Sequence, residues 1–459
     1  MGAATDFEIA ILGAGFSGTA LATALLRQGV APLRLALIDP SPDTGRGRAY
    51  HEPSGRLLLN VPAARMSLLA DAPDDFLNWW AADCGRPVAV LAHDFAPRSD
   101  YGRYVAARFA QTLDQSVAQL SRIAHAAVDI EARDGDFALT LDDGRVLTAR
   151  QIVLAFGYAP GPPLRAIAEA GLGPRLIDPL APGALAALHR DAALALIGTG
   201  LTAVDAISQL RAHGHRGRID CISRHGRWPQ AHRAPGPTLA HPLSAAELAR
   251  SPRSALRCVR EAERAHRAQG GDWRAVIDAL RPLTVATWQA WPPRAKAQAL
   301  RHLRSLWDVH RHRMAPQAAQ TLGAALADPQ VHVHAAQLHR ARAVAGERIE
   351  LTLKPRAGGA MRHIVVDHLL SALGPVVTLG ARNDPLARAL LARGLARDDG
   401  AGLGLDIGSH GELIDAQGQP HAALYAIGPL LRARDWETIA VPEIRDQAPV
   451  LAARLLGMG

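Results

Sequence analysis

The chain has 459 residues, of which 48% are hydrophobic and 20% charged, a length that supplies buried cores for two or three domains. Its net charge of +8 comes from 51 basic residues, all but two of them arginine and scattered along a chain that is only 4% aromatic, which argues against a nucleic-acid surface. Cys84, Cys221 and Cys258 lie far apart, excluding C-x-x-C exchange and zinc spacing, while the lack of a leader-like N-terminus and of any apolar run near the roughly 18 residues of a membrane span predicts a cytoplasmic protein.

In chain order, Phe7, Ile9 and Ile11 open a short apolar run that reads as a buried strand. Gly13, Gly15 and Gly18 follow as G-x-G-x-x-G, with Phe16 and Ser17 inside the motif, and Thr19 to Gln28 reads as a helix closed by Gly29. Such a turn brings the backbone up to a pyrophosphate and sets it against the positive end of a helix. A second strand, Leu33 to Ile38, ends in Asp39, 21 residues after Gly18. A carboxylate there accepts hydrogen bonds from a ribose 2′-hydroxyl and repels a 2′-phosphate, which suits FAD or NAD.

A loop-rich stretch around Arg46, Tyr50, Asn60, Pro62 and Met66 precedes a helix near Ala72 to Ala82 and an amphipathic helix within Pro97 to Leu113. Ala126 to Arg133, Phe137 to Leu141 and Val146 to Thr148 read as a small meander, and Gln151 to Gly157 as a separate apolar strand. At Ala192 the opening theme returns, with Gly198, Gly200 and Ala203 as G-x-G-x-x-A and a second strand, Arg218 to Ser223, ending at Arg224. Arg224 stands at the same 21-residue offset as Asp39. An acid in one turn and a base in the other assign FAD to the first and NADPH to the second.

From His232 to Pro329 the pattern is helical and broken by prolines, with Trp273, Trp288, Trp291 and Trp307 within it. These tryptophans read either as the core of a helical lobe or as a substrate cage. His332 and His334 alternate on a strand without a further ligand set, so a solvated strand face is expected. His310, Arg311, His312 and Arg313 form a basic cluster that serves either anion contact or helix-end electrostatics. No Ser/His/Asp arrangement stands out, so the hard chemistry falls to a cofactor.

The ordered series GAGFSG (13 to 18), GRGRAY (45 to 50), LLNVPAARMS (58 to 67), DYGRYV (100 to 105), LAFGYAP (154 to 160), GTGLTAVD (198 to 205), SRHGRWPQAH (223 to 232), WDVHRHRMAP (307 to 316) and YAIGPLLRARDWETIAVPE (425 to 443) resembles a bacterial family of FAD/NAD(P)-binding proteins related to single-component flavoprotein monooxygenases. The resemblance covers nearly the whole chain. It implies an α/β protein with two Rossmann-like dinucleotide-binding domains: an FAD domain from 1–160 plus 365–459, an NAD(P)H domain from 190–230 plus 330–364, and a helical insertion from 231–329.

It further implies that Gly13 to Gly18 and Asp39 hold the FAD adenosine diphosphate, that Asn60, Val61 and Met66 lie along the isoalloxazine, and that Val128 lies near the adenine. Gly428, Pro429, Glu437 and Thr438 lie near the ribityl chain and pyrimidine, with Arg48, Arg103 and Gly157 as further cofactor contacts. Gly198, Gly200, Leu201, Thr202 and Arg224 take the nicotinamide nucleotide, and Asn60 and His51 are the implied polar groups beside the flavin. Pro429 stands where many two-dinucleotide flavoproteins carry an aspartate after the glycine. The implied reaction is NAD(P)H-driven hydroxylation of a small substrate by molecular oxygen through a flavin C4a-hydroperoxide, with urate, in purine catabolism, as the specific substrate. The alternatives are a reductase serving a quinone or protein partner, and a non-catalytic flavin-binding sensor.

Overall fold

In the computed structural model, which describes residues 5–458 apart from 30, 31, 52, 53, 158, 235, 377 and 383, the first apolar run is β1 (Phe7–Leu12) and the glycine turn leads straight into α1 (Phe16–Gln28). The helix starts at Phe16 rather than Thr19, because Gly18 already lies in its first turn, pressed against the Gly13 carbonyl. β2 (Arg34–Ile38) runs parallel to β1 with Leu35 opposite Ile9. α2 (Asp75–Cys84), α3 (Val88–Leu91) and α4 (Arg98–Gln115) then lead to β3 (Gln119–Ile123), a parallel partner of β2.

β4 (Ala127–Arg133) and β5 (Asp136–Leu141) pair antiparallel. β6 (Val146–Leu154) corrects the sequence reading: the third meander strand and the apolar strand after it are one continuous element. Its first half pairs antiparallel with β5 and its second half parallel with β1. The polar pair Arg150-Gln151 in its middle hid that continuity.

After β7 (Ala159–Pro160), α5 (Arg165–Glu169) and β8 (Leu176–Ile177), the second glycine turn joins β9 (Leu194–Ile197) to α6 (Leu201–Ala212) and β10 (Ile219–Ser223). The helical lobe holds α7 (Ala245–Arg250), α8 (Pro252–Ala268), α9 (Trp273–Leu280), α10 (Thr284–Ala290), α11 (Pro293–His302) and α12 (Arg304–Arg311). α13 (Pro316–Ala327) instead packs on α6. Proline opens α8, α11 and α13, where its missing N–H costs nothing and its fixed φ is already helical, so the prolines that break the sequence pattern are starts rather than interruptions.

β11 (Val331–Ala343) carries the strand of His332 and His334 well past them, and β12 (Ile349–Pro355) and β13 (Arg362–Val366) follow it antiparallel. β14 (His368–Ser371) pairs with β9 and β8. The second sheet therefore runs past the boundary expected at residue 364, in the order β13-β12-β11-β10-β9-β14-β8, because the parallel slot beside β9 is filled from the far end of the inserted segment. β15 (Pro375–Val376) pairs antiparallel with β7, so the two crossings between sheets lie side by side.

The chain then re-enters the first sheet through α14 (Pro385–Ala392), β16 (Glu412–Ile414) and β17 (Pro420–Ala426), giving the order β16-β17-β6-β1-β2-β3. A short α15 (Arg432–Asp435) and the final α16 (Val441–Leu455) end the fold, with α16 packed on α1. Among the described residues no helix is long and apolar enough to cross a membrane.

Candidate flavin and nicotinamide site

The first turn is built by close backbone approach. A Cβ on Gly13, whose φ is +115°, would lie 2.8 Å from the Ala155 backbone, and one on Gly18 would lie 1.8 Å from the Gly13 carbonyl oxygen. α1 has Gly15 as its N-cap, no side-chain cap and no acid in its first turn, so its leading N–H groups are left for an anion, as a bound pyrophosphate requires. Asp39 braces the turn from beneath: one carboxylate oxygen accepts the Ala14 N–H at 2.7 Å and the other the Ser41 N–H at 2.8 Å. Phe16 and Ser17 are buried behind it.

Val128 is the extra residue where the β4–β5 register shifts between Ala127 and Asp129, and a bulge of this kind frees backbone groups from the ladder. The Gly157 carbonyl accepts from Arg382 at 3.0 Å, and that guanidinium also lies over the Phe156 ring. Three residues implied by the resemblance have other commitments. Arg48 pairs with Asp178. Arg103 binds Asp83 and Asp100 and covers the Trp79 ring. His51 is exposed and faces Asp43 at 3.4 Å, and it lines neither of the cavities described below.

The second turn repeats the first. A Cβ on Gly198 would lie 2.2 Å from the Ala372 carbonyl, whereas Gly200 faces open space. α6, starting at Leu201 and Thr202, has neither a side-chain cap nor an acid in its first turn. Thr199 donates to the Arg227 carbonyl at 2.6 Å, holding the loop after β10. Arg224 is exposed at the end of β10 and makes no ion pair among the described residues.

Between the two turns the C-terminal segment meets the helical lobe. A Cβ on Gly428 (φ +74°) would fall 2.3 Å from Ser17 Oγ, so the Gly428-Pro429 step lies against the back of the phosphate turn. Buried Thr438 donates to the Gly428 carbonyl at 2.9 Å and accepts from Gln447 at 2.7 Å. Trp436 has φ 58° and ψ −58°, and the Glu437 N–H reaches the Asp435 carbonyl at 2.6 Å. This is a γ-turn in its strained positive-φ form. It aims buried Glu437 at Arg311 (2.9 Å) and at the Trp307 indole N–H (2.9 Å).

Glu443, in the first turn of α16, takes Arg281 at 2.5 Å and Arg311 at 3.3 Å. Arg65, beside Met66, joins this cluster, and burial, reinforced by the Arg281 charge, pulls its guanidinium below the ordinary arginine range. The arginines of the basic cluster are thus spent on carboxylates: Arg313, just beyond α12, likewise pairs with Asp278. His334, expected on a solvated face, instead meets buried Asp220 at 2.8 Å, because β11 lies beside β10 in parallel register.

Asn60 does not stand alone. Its backbone carbonyl lies 3.0 Å from Nε2 of His232, whose ring packs on Phe95. Burial, with help from the Arg313 charge, lowers that imidazole to about 4. His232, Arg65 and Arg281 were not picked out as site residues by sequence. His232 at least lies in a motif of the resemblance, whereas nothing local marks Arg281.

Two cavities flank this region. One, of about 390 Å³, lies between Asn60, Arg98 and α6 and is crossed by the Arg98–Asp205 pair at 2.7 Å. The other, of about 430 Å³, lies inside the helical lobe and is walled by Trp273, Trp288, Trp291, Trp307 and Trp436. The tryptophans are therefore part of the lobe core and also wall a cavity.

A family model described as FAD-NAD(P)-binding matches residues 10–159. No curated protein matches. Among solved structures, an ornithine hydroxylase from Pseudomonas aeruginosa is 18% identical over 98% of this chain and 99% of its own, with a TM-score of 0.66. An L-lysine 6-monooxygenase from Pseudomonas syringae is 17% identical over 98% and 99%, at 0.69, and a cadaverine monooxygenase from Erwinia amylovora 14% over 99% and 95%, at 0.64. The chain has the fold of these proteins. That likeness is one of fold, and the substrate has to be argued from the site.

Proposed function

We propose that this chain is an FAD-dependent, NAD(P)H-using monooxygenase acting on a small organic substrate. The observation that carries the reading is the pair of uncapped helices begun by glycine turns, one braced by an acid and the other flanked by an exposed arginine that makes no ion pair among the described residues. Bound FAD, reduced by NAD(P)H, supplies the oxygen chemistry for which no side chain here is equipped. The protein's part is to hold and shield. The N-terminus of α1 takes the pyrophosphate, the freed backbone of Val128 takes the adenine, and Arg224 pairs with a 2′-phosphate. Asn60, Val61 and Met66 wall the ring, with Asn60 as its polar neighbour. The Trp307–Glu437–Arg311 contact closes the lobe against water.

Urate is the specific substrate that the family resemblance implies, and the solved relatives are named for ornithine, lysine and cadaverine. The deciding experiment follows flavin absorbance, NADPH and NADH consumption and oxygen uptake on purified protein with a panel of small aromatic compounds alongside these four. Substrate-stimulated uptake with oxygen found in the product is expected. Protein without saturable FAD binding, or electrons passed to a quinone with no oxygen incorporated, would overturn the reading.

A further inference from the structure

We propose that the tryptophan-walled chamber binds the substrate, and that this substrate is a planar, apolar aromatic molecule rather than a polar anion or a free amino acid. The inference rests on the monooxygenase reading and adds the substrate class. At about 430 Å³ the chamber falls within the roughly 300–1,000 Å³ of small-molecule sites.

Its chemistry is set by what three of its five tryptophans have already done with their polar edges. The Trp288 indole N–H donates to the Ala433 carbonyl at 2.9 Å, that of Trp291 to the Leu248 carbonyl at 3.0 Å, and that of Trp307 to Glu437 at 2.9 Å. The Thr284 hydroxyl is likewise spent, on the Leu280 carbonyl at 3.0 Å. What these groups leave to a guest is ring faces and aliphatic surface. Trp288 lies nearly parallel to Trp436 at 4.7 Å and edge-on to Trp291 at 6.2 Å, presenting the offset-stacked and edge-to-face geometries that a further aromatic ring prefers.

Polarity returns at the edges: along α8, where Ala255 and Val259 give way to Arg260, Glu263 and Arg267, the last two paired at 2.5 Å, at Thr287 of α10, and on α12, where Arg304 faces Asp308 at 3.5 Å and His310 Nδ1 meets the Leu306 carbonyl at 2.8 Å. A polyhydrogen-bonding guest such as urate would leave most of its N–H and C=O groups unpartnered here, which is unfavourable. The chamber also shares a wall with the flavin side of the molecule: Trp307 touches Glu437, and Trp436 is the strained residue before it. The Trp307 side chain thus lines the chamber and reaches the Glu437 carboxylate at once.

Calorimetry on the flavin-loaded full chain tests this with indole as the probe and urate and L-ornithine as comparators. The expected result is saturable one-to-one indole binding with a negative heat-capacity change, the mark of buried apolar surface, and no displacement by either comparator. Val259→Phe and Thr287→Phe, which fill the chamber from two different helices, should each weaken indole roughly tenfold or more with flavin content and flavin reduction by NAD(P)H unchanged. No saturable indole binding, displacement by urate, or wild-type affinity in the folded variants would overturn the proposal, and the wild-type measurements decide it even if a variant fails to fold. Oxygen uptake is followed on the same samples. Indole bound as expected while no compound stimulates uptake would keep the chamber as an aromatic site and remove the monooxygenase reading.

Discussion

Arg311 of the helical lobe and Glu437 of the C-terminal segment lie 2.9 Å apart with side chains only 10% and 6% exposed. Their sequence positions are far apart, and the contact fastens the lobe to the sheet that carries the first glycine turn. Glu437→Ala leaves the guanidinium buried with only Glu443 at 3.3 Å, and breaking a buried pair costs about 3–5 kcal/mol, the lower end applying because Glu443 stays. Glu437→Gln keeps an acceptor for Trp307 and should lose less. Urea unfolding of the flavin-loaded variants measures both, and an alanine variant as stable as wild type would show that the pair contributes nothing.

Gly428 is expected to be irreplaceable for a local reason. Gly428→Ala places a methyl 2.3 Å from Ser17 Oγ in a φ of +74°, so the back of the phosphate turn must shift and FAD occupancy should fall. The double variant Ser17→Gly with Gly428→Ala removes the oxygen but not the backbone strain. Recovery of flavin content should therefore be partial, and full FAD occupancy in the single variant would refute the account.

Arg224 should set the nucleotide preference. Its guanidinium is exposed and without an ion-pair partner among the described residues, and a charge-assisted bond to a phosphate is worth about 1.5–3 kcal/mol. Arg224→Ala should lower the NADPH-to-NADH ratio of flavin reduction rates by roughly tenfold or more. An unchanged ratio in stopped-flow reduction would remove this role.

His232 gives the fold a pH dependence. Its imidazole titrates near 4 when folded against an ordinary value of 6.5, so between those values the unfolded chain takes up a proton that the folded chain refuses. Stability is therefore full above 6.5 and declines as pH falls toward 4. His312, held near 4 by burial and by Arg311, adds a second proton of the same sign. His232→Gln should flatten the decline by up to roughly 1.4 kcal/mol per pH unit, read as the difference in unfolding free energy between about pH 7 and about pH 5. Equal slopes in variant and wild type would show that His232 titrates normally.

Both glycine turns were legible from sequence, because strand, glycines, helix and the residue at the common offset are all local. β3 was not: Gln119–Ile123 is an edge strand without a fully buried residue, so its pattern carries little hydrophobic signal. The two strands read within Val146 to Gly157 merged because one strand changes partners midway, which no window of sequence reveals. In the site, Asn60 and Glu437 stood in recognisable motifs, but their partners His232 and Arg311 lie 172 and 126 residues away. Whether the tryptophans enclose a space depended on helix packing rather than on their spacing.

The antiparallel pairing of Ala159–Pro160 with Pro375–Val376 has a consequence for how the chain is assembled. Everything between those points leaves and re-enters the first sheet through one doorway, so the whole inserted body occupies a single address in the host's topology. It interrupts no strand there, since β6 and β17 still meet in parallel across the gap. For the engineer this makes the doorway a natural seam for splitting, permuting or grafting. Fragments cut there would have to find each other at that seam and across the interface that includes the Arg311–Glu437, Arg281–Glu443 and Arg98–Asp205 pairs.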